Sequence, residues 1–263
     1  MAKIETEVRT IDDLGESGNV VKLGRGMEDM NDQTLNNLSL SEAISIQNEL
    51  SRKIVLSANG ITSVESVAGV DLAYWKVGDE EYAVCCIVVL DERTKRTIES
   101  KYSFGKVEVP YIPGCLAFRE LPLILETVKK LDTIPDLYMF DGNGYLHPRH
   151  MGIATHASFY LNKPTIGVAK SYYKIDDVDF VMPVNEKNAY TDIIISGEIY
   201  GRVLRTVKDV RPIFISAGNY IDLDTTMKIV CDFVDKESHI PLPTRLADIE
   251  THKMRKELQI INE

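Results

Sequence analysis

Residues 67–104 read VAGVDLAYWKVGDEEYAVCCIVVLDERTKRTIESKYSF, and the order of the whole chain follows from them. Val67 to Tyr74 is an apolar strand with one carboxylate, Asp71, inside it. Tyr82 to Leu90 is almost entirely apolar, the pattern of a strand buried on both faces. Asp91-Glu92-Arg93-Thr94 makes a turn, and a third strand then alternates. Ile98, Tyr102 and Phe104 share one face, and Thr97, Glu99, Lys101 and Ser103 are expected to face water. Connections this short imply an antiparallel meander.

Upstream, Ser39-Leu40-Ser41-Glu42 fits a capping box, followed at helical spacing by Ala43, Ile46, Leu50 and Ile54. Downstream the pattern changes. A loop bracketed by Pro110 and Pro113 leads to a predicted helix from Ala117 to Leu131, a strand over 137–140, a helix from Arg149 to Leu161 and a strand from Thr165 to Ala169. Residues 193–205 and 213–216 read as further strands, and Leu223 to Val234 as a helix. Three antiparallel strands followed by alternating helix and strand predict an α/β fold, a mixed β-sheet with helices packed on its faces.

The 263 residues are 44% hydrophobic and 27% charged, values that suit a globular protein with a sizeable core. No apolar run approaches the roughly 18 residues of a membrane span. The first residues hold no apolar signal core, so a cytoplasmic location is expected. Residues 1–33 carry eight acids and four bases, −4 of the net −10, without periodicity. Residues 1–38 are therefore expected to be an acidic extension, and 39–263 a single domain. Cys85, Cys86, Cys115 and Cys231 lack zinc-ligand spacing and read as reduced thiols.

Three carboxylates stand where apolar residues belong. Asp71 interrupts a strand, Asp141 ends the apolar run Leu137-Tyr138-Met139-Phe140, and Glu120 lies within the helical stripe Ala117, Leu121, Ile124, Val128. Alone, each has a bland explanation in a salt bridge, a turn or a hydrogen bond. Together they could converge on a hard divalent ion, which takes oxygen ligands. The 34 residues between Asp141 and Asp176 contain no carboxylate but hold Arg149, Lys163, Lys170 and Lys174. A basic stripe on an acidic chain suggests a surface for a phosphate backbone, and carboxylates at its edge suggest a metal-dependent nuclease.

The order of elements resembles a ribonuclease H-like nuclease, and several motifs narrow the likeness. Val-Ala-Gly-Val-Asp71, Pro110-Tyr111-Ile112-Pro113-Gly114, Phe118-Arg119-Glu120, Phe140-Asp141-Gly142-Asn143-Gly144, His147-Pro148-Arg149 and Ile166-Gly167-Val168-Ala169-Lys170-Ser171 look like endonuclease V. With Pro243-Thr244-Arg245-Leu246-Ala247, the likeness extends from about Ser41 to Leu246 and leaves out the acidic extension.

The resemblance implies cleavage at the second phosphodiester bond 3′ to deoxyinosine in DNA, leaving 3′-hydroxyl and 5′-phosphate ends. It also implies Mg²⁺, with Mn²⁺ able to substitute, held by Asp71 and Asp141 and completed by Glu120. Lys170 would stand beside the scissile phosphate, Tyr111 would wedge into the base stack, and His147 would contact DNA. Glycines at 114, 142 and 144 suggest main-chain contacts to the base. The alternatives are an inosine-specific ribonuclease and a protein that binds inosine without cutting. One departure favours the last: Asn219 stands where the family commonly carries His, expected near the metal and able to assist its water.

Overall fold

The computed structural model describes residues 39–58 and 63–261, and the extension expected over 1–38 lies outside them. Helix α1 (Leu40–Ser51) starts at the capping box, where Ser39 and Glu42 each bond the other's backbone N–H. Strands β1 (Ser66–Val77), β2 (Glu80–Asp91) and β3 (Thr97–Lys106) form the antiparallel meander. Then come α2 (Leu116–Val128), β4 (Leu137–Asp141), α3 (Ile153–Leu161) and β5 (Thr165–Ala169). Strands β6 (Ala189–Ile195), β7 (Glu198–Arg205) and β8 (Ile213–Asn219) precede α4 (Leu223–Asp232) and α5 (Leu242–Ile261).

All eight strands join one sheet in the order β3-β2-β1-β4-β5-β8-β7-β6. β1, β4 and β5 run parallel and the other pairings are antiparallel, giving the expected mixed sheet of ribonuclease H-like type. The apolar character of β2 has its predicted cause. Cys85, Ile87 and Val89 pack under α2 and α3, while Val88 and Leu90 belong to the core beneath α4 and the start of α5. Full burial of such side chains contributes about 1.5–3 kcal/mol each. The cysteines are free. Among the described residues no helix is long and apolar enough to cross a membrane.

The structure corrects four local expectations. On β3 the expected faces hold only in part: Phe104 packs beside Trp75 and Val84 and Thr97 is exposed, but Ile98 and Tyr102 are exposed and Ser103 is fully buried. The Glu99 face lies toward the end of α2, where the Glu99 carboxylate accepts from the backbone N–H groups of Asp132 and Thr133. Helix α3 begins at Ile153, not Arg149, because His150 sits in the left-handed region at φ 57° and Gly152 is the N-cap. Residues 193–205 are not one strand but parts of β6 and β7, split by a turn at Ser196-Gly197 with both residues at positive φ. The fourth is an element the sequence did not announce, the 20-residue helix α5.

α5 lies against β1 and β2. Gly69 permits this: a Cβ there would stand 1.9 Å from the Pro243 carbonyl oxygen, inside any tolerable contact. Asp71, two residues further along β1, faces the same side. The glycine of the Val-Ala-Gly-Val-Asp motif thus sets how closely α5 approaches the first carboxylate.

Candidate active site

β1 and β4 are parallel with Val70 opposite Phe140, so the next residues, Asp71 and Asp141, emerge side by side where β4 ends. β5 ends one strand over and delivers Lys170. Its ammonium lies 2.6 Å from Asp141 Oδ2 and 2.7 Å from Asp248 Oδ1, the latter on α5. One turn along α5, Thr251 Oγ1 donates to Asp71 Oδ2 at 2.8 Å. Glu120 approaches from α2, on the opposite face of the sheet, and accepts from Tyr74 Oη at 2.7 Å. The Arg119 guanidinium stands over the Tyr74 ring at 4.7 Å and pairs with Glu81.

The three carboxylates singled out in the sequence therefore interact. Burial first, and then the charge of Asp141, push Asp71 up to about 6. Burial raises Glu120 to about 7 with help from Asp71 and Asp141, although the Tyr74 hydrogen bond opposes the shift. Asp141 is raised by burial, with Lys170 pulling it back. Burial works against the Lys170 charge, but the bonds to Asp141 and Asp248 overrule it and hold the ammonium well above its usual range.

Four carboxylates, Asp71, Glu120, Asp141 and Asp248, crowd this end of the sheet; burial above all, and then their mutual repulsion, raises Asp71, Glu120 and Asp141, while Lys170 pairs with Asp141 and Asp248. Hard oxygen donors with excess negative charge fit a divalent cation. A carboxylate oxygen from each of Asp71 and Asp248 and a ring nitrogen of His252 all lie within 4.8 Å of one another. Asp141 and Glu120 stand beside this group, held by Lys170 and Tyr74. Asp248, Thr251, His252 and Tyr74 escaped the sequence reading. The only signal was polar residues on one face of the helix after Pro243-Thr244-Arg245-Leu246-Ala247, 180 positions from the strand they meet.

Tyr111 is 62% exposed, as its flanking prolines suggested. It borders an open cleft of about 420 Å³ lined also by Gly114, Asn143, His147, Ile153 and Tyr173. Gly114, at φ 76°, turns its carbonyl inward, where Gln47, His147 and Arg149 all donate to it. His147 is buried, and its Nδ1 accepts from the backbone N–H groups of Arg149 and Met151. Nε2 therefore carries the proton that reaches Gly114 O at 3.1 Å. Burial and the neighbouring Arg149 lower its pKa to about 4, so at neutral pH it is an uncharged brace along the cleft.

Two expectations fail here. The basic segment does not present its charges as one stripe: Arg149 points inward to Gln47 and Gly114, and Lys174 pairs with Asp179. Nor does Asn219 approach the metal residues. β8 runs antiparallel to β5, so Phe214 faces Ala169 at the Asp141 end and Asn219 faces Thr165 at the other. Four residues separate Asn219 from Ile215, the neighbour of Val168, which is roughly 13 Å along the strand. Fully buried, Asn219 accepts from Val55 N at 2.7 Å and Tyr220 N at 3.0 Å.

Comparison with known proteins identifies the family. The family model Endonuclease V matches residues 48–249. An endonuclease V of Bacillus thuringiensis subsp. konkukian is 62% identical over 220 residues, covering 83% of this chain and 94% of that protein. The crystal structure of a Bacillus subtilis endonuclease V superposes with a TM-score of 0.82 at 52% identity, covering 88% of this chain and 98% of the other. A Ciona intestinalis endonuclease V, solved with a 24-mer DNA containing an inosine followed by a ribo-adenosine, gives a TM-score of 0.71 at 30% identity, with coverage of 83% and 98%. The chain belongs to the endonuclease V family.

Proposed function

We propose that the chain is a divalent-ion-dependent endonuclease that nicks DNA at deoxyinosine, cutting the second phosphodiester bond on the 3′ side and leaving 3′-hydroxyl and 5′-phosphate ends. The observation that carries this is the convergence of Asp71, Glu120, Asp141 and Asp248 at the strand ends, with Lys170 bridging Asp141 and Asp248 and with a cleft bordered by Tyr111 whose lining residues Ala117 and Asn143 lie three and two positions from Glu120 and Asp141. The inosine-containing DNA bound by the Ciona relative supports the choice of substrate.

Asp71, Asp141 and Asp248 would hold Mg²⁺, with Mn²⁺ a competent substitute, and Glu120 would complete the acidic shell. A bound Mg²⁺ supplies a Lewis acid that lowers the pKa of water and neutralises charge on a leaving oxygen. Lys170 contributes a permanent positive charge for the phosphate in its transition state. Tyr111 fills the stack that the damaged nucleotide vacates, and the cleft beside it receives the extruded base. His147 keeps the Gly114 carbonyl and the loop after β4 in register, which shapes that cleft.

Paired single-inosine DNA and RNA strands, with Mg²⁺ or EDTA, test the proposal with wild type and Asp141→Asn. The expected result is Mg²⁺-dependent nicking of the DNA by wild type, and binding without nicking by the variant. Faster cleavage of the RNA would transfer the same site to an inosine-specific ribonuclease. Near-wild-type cutting by Asp141→Asn would remove Asp141 from the ion. The non-cleaving alternative loses its support, since it leaned on Asn219 and that residue stands at the far end of β8.

A further inference from the structure

We propose that His252 gives the ion held by Asp71 and Asp248 a nitrogen ligand, so that the site, while it accepts Mg²⁺, binds Mn²⁺ more tightly. The inference rests on the acidic cluster being a cation site, and it assigns a residue that the cluster of carboxylates alone does not require. Asp248 and His252 are four apart on α5 and share the face turned to Asp71. One oxygen from each aspartate and one imidazole nitrogen already lie within 4.8 Å of one another. Donors around a six-coordinate ion of this size stand about 3–4 Å apart, so a modest side-chain rotation closes the set. The His252 side chain is half exposed, so solvent gives the ring room to turn once its contact with the Asp248 carbonyl is released.

The tautomer also suits a ligand. His252 Nδ1 lies 2.8 Å from the Asp248 carbonyl oxygen one turn back, a bond in which the ring nitrogen must be the donor. That leaves the lone pair on Nε2, and because Nδ1 is the nitrogen that stands 3.9 Å from Asp248 Oδ1, the ring must turn to bring Nε2 to the ion. Metal-binding imidazoles characteristically give their other N–H to a carbonyl or carboxylate, which orients the ring and raises its basicity. The chemical consequence is a change of preference. Mg²⁺ seeks an all-oxygen shell, whereas affinity at sites with nitrogen ligands climbs along the first-row divalent series that begins with Mn²⁺.

The test is paramagnetic resonance of Mn²⁺ bound to the full-length protein without substrate, with Mn²⁺ and Mg²⁺ affinities measured by calorimetry. Wild type, His252→Ala, His239→Ala and Asp71→Asn are compared after thermal melts establish that each is folded. His239 is the control because its imidazole also feels the Lys170 charge. Wild type and His239→Ala should show nitrogen modulation of the Mn²⁺ signal, and His252→Ala should lose it. His252→Ala should bind Mn²⁺ about tenfold more weakly, a typical cost for disturbing a metal's surroundings, with Mg²⁺ affinity changed by less than about twofold. Bound Mn²⁺ without nitrogen modulation in wild type, or modulation that survives in His252→Ala, overturns the inference alone. If wild type binds no Mn²⁺, or Asp71→Asn binds it undiminished, the cation site itself is refuted as well.

Discussion

Replacing Glu120 with Gln should stabilise the metal-free protein, and only above a defined pH. Burial, reinforced by Asp71 and Asp141, holds Glu120 at about 7 in the folded protein, against 4.5 for an ordinary glutamate. Since the folded value is the higher one, the contribution of this carboxyl to stability is intact below about 4.5 and is lost as pH rises through about 7. At about 1.4 kcal/mol per decade, ionising it at pH 8 costs about 3 kcal/mol, an upper figure because Asp71 and Asp141 titrate in the same field. Gln keeps the shape and can still accept from Tyr74 Oη, but it has no proton to lose. Melts of both proteins in EDTA should coincide near pH 4, diverge from about pH 4.5 to 7, and differ by about 3 kcal/mol at pH 8. For a chain of this size that is roughly 6–12 °C in Tm. Divalent ion should narrow the gap by stabilising the wild-type carboxylate. A difference that stays constant from pH 4 to pH 8 would refute the reasoning, because packing and not charge would then set it.

Tyr111→Ala should leave Tm nearly unchanged, since the ring is 62% exposed, yet weaken binding to inosine-containing duplex by about 1–3 kcal/mol, with a smaller loss on single strands. Equal losses on both substrates with a lowered Tm would argue against a wedge. Asn219→His should destabilise by about 2–4 kcal/mol, because it puts a larger ring into a filled site and disturbs the acceptor for Val55 and Tyr220. Single-turnover cleavage by that variant should acquire no new titration near pH 6–7; a rate gain with such a titration would contradict the register of β8.

What the sequence determined by itself is what local periodicity can carry. β1, β2, β4 and β5 are legible because an apolar run of strand length, bounded by turns, has few other uses. Asp71 and Asp141 stand out as charges inside such runs, and Glu120 as a charge on the apolar stripe of α2. Motif likeness added Lys170 and Tyr111. Only the tertiary structure decided what meets these residues. The faces of β3 turned on which neighbours cover the strand, a matter on which alternation is silent because Ile98 and Ser103 are equally regular in either orientation. Arg149 reads as a surface charge until Gly114 and Gln47 are seen to face it. Asn219 follows an apolar strand just as Asp141 ends one, but β8 runs the other way and carries it to the opposite end of the sheet. Asp248, Thr251 and His252 reach Asp71 from 180 residues away because Gly69 lets α5 lie flush on β1. Periodicity reports the face on which a side chain sits, whereas strand direction and helix docking, set by contacts distant in sequence, determine what that face meets.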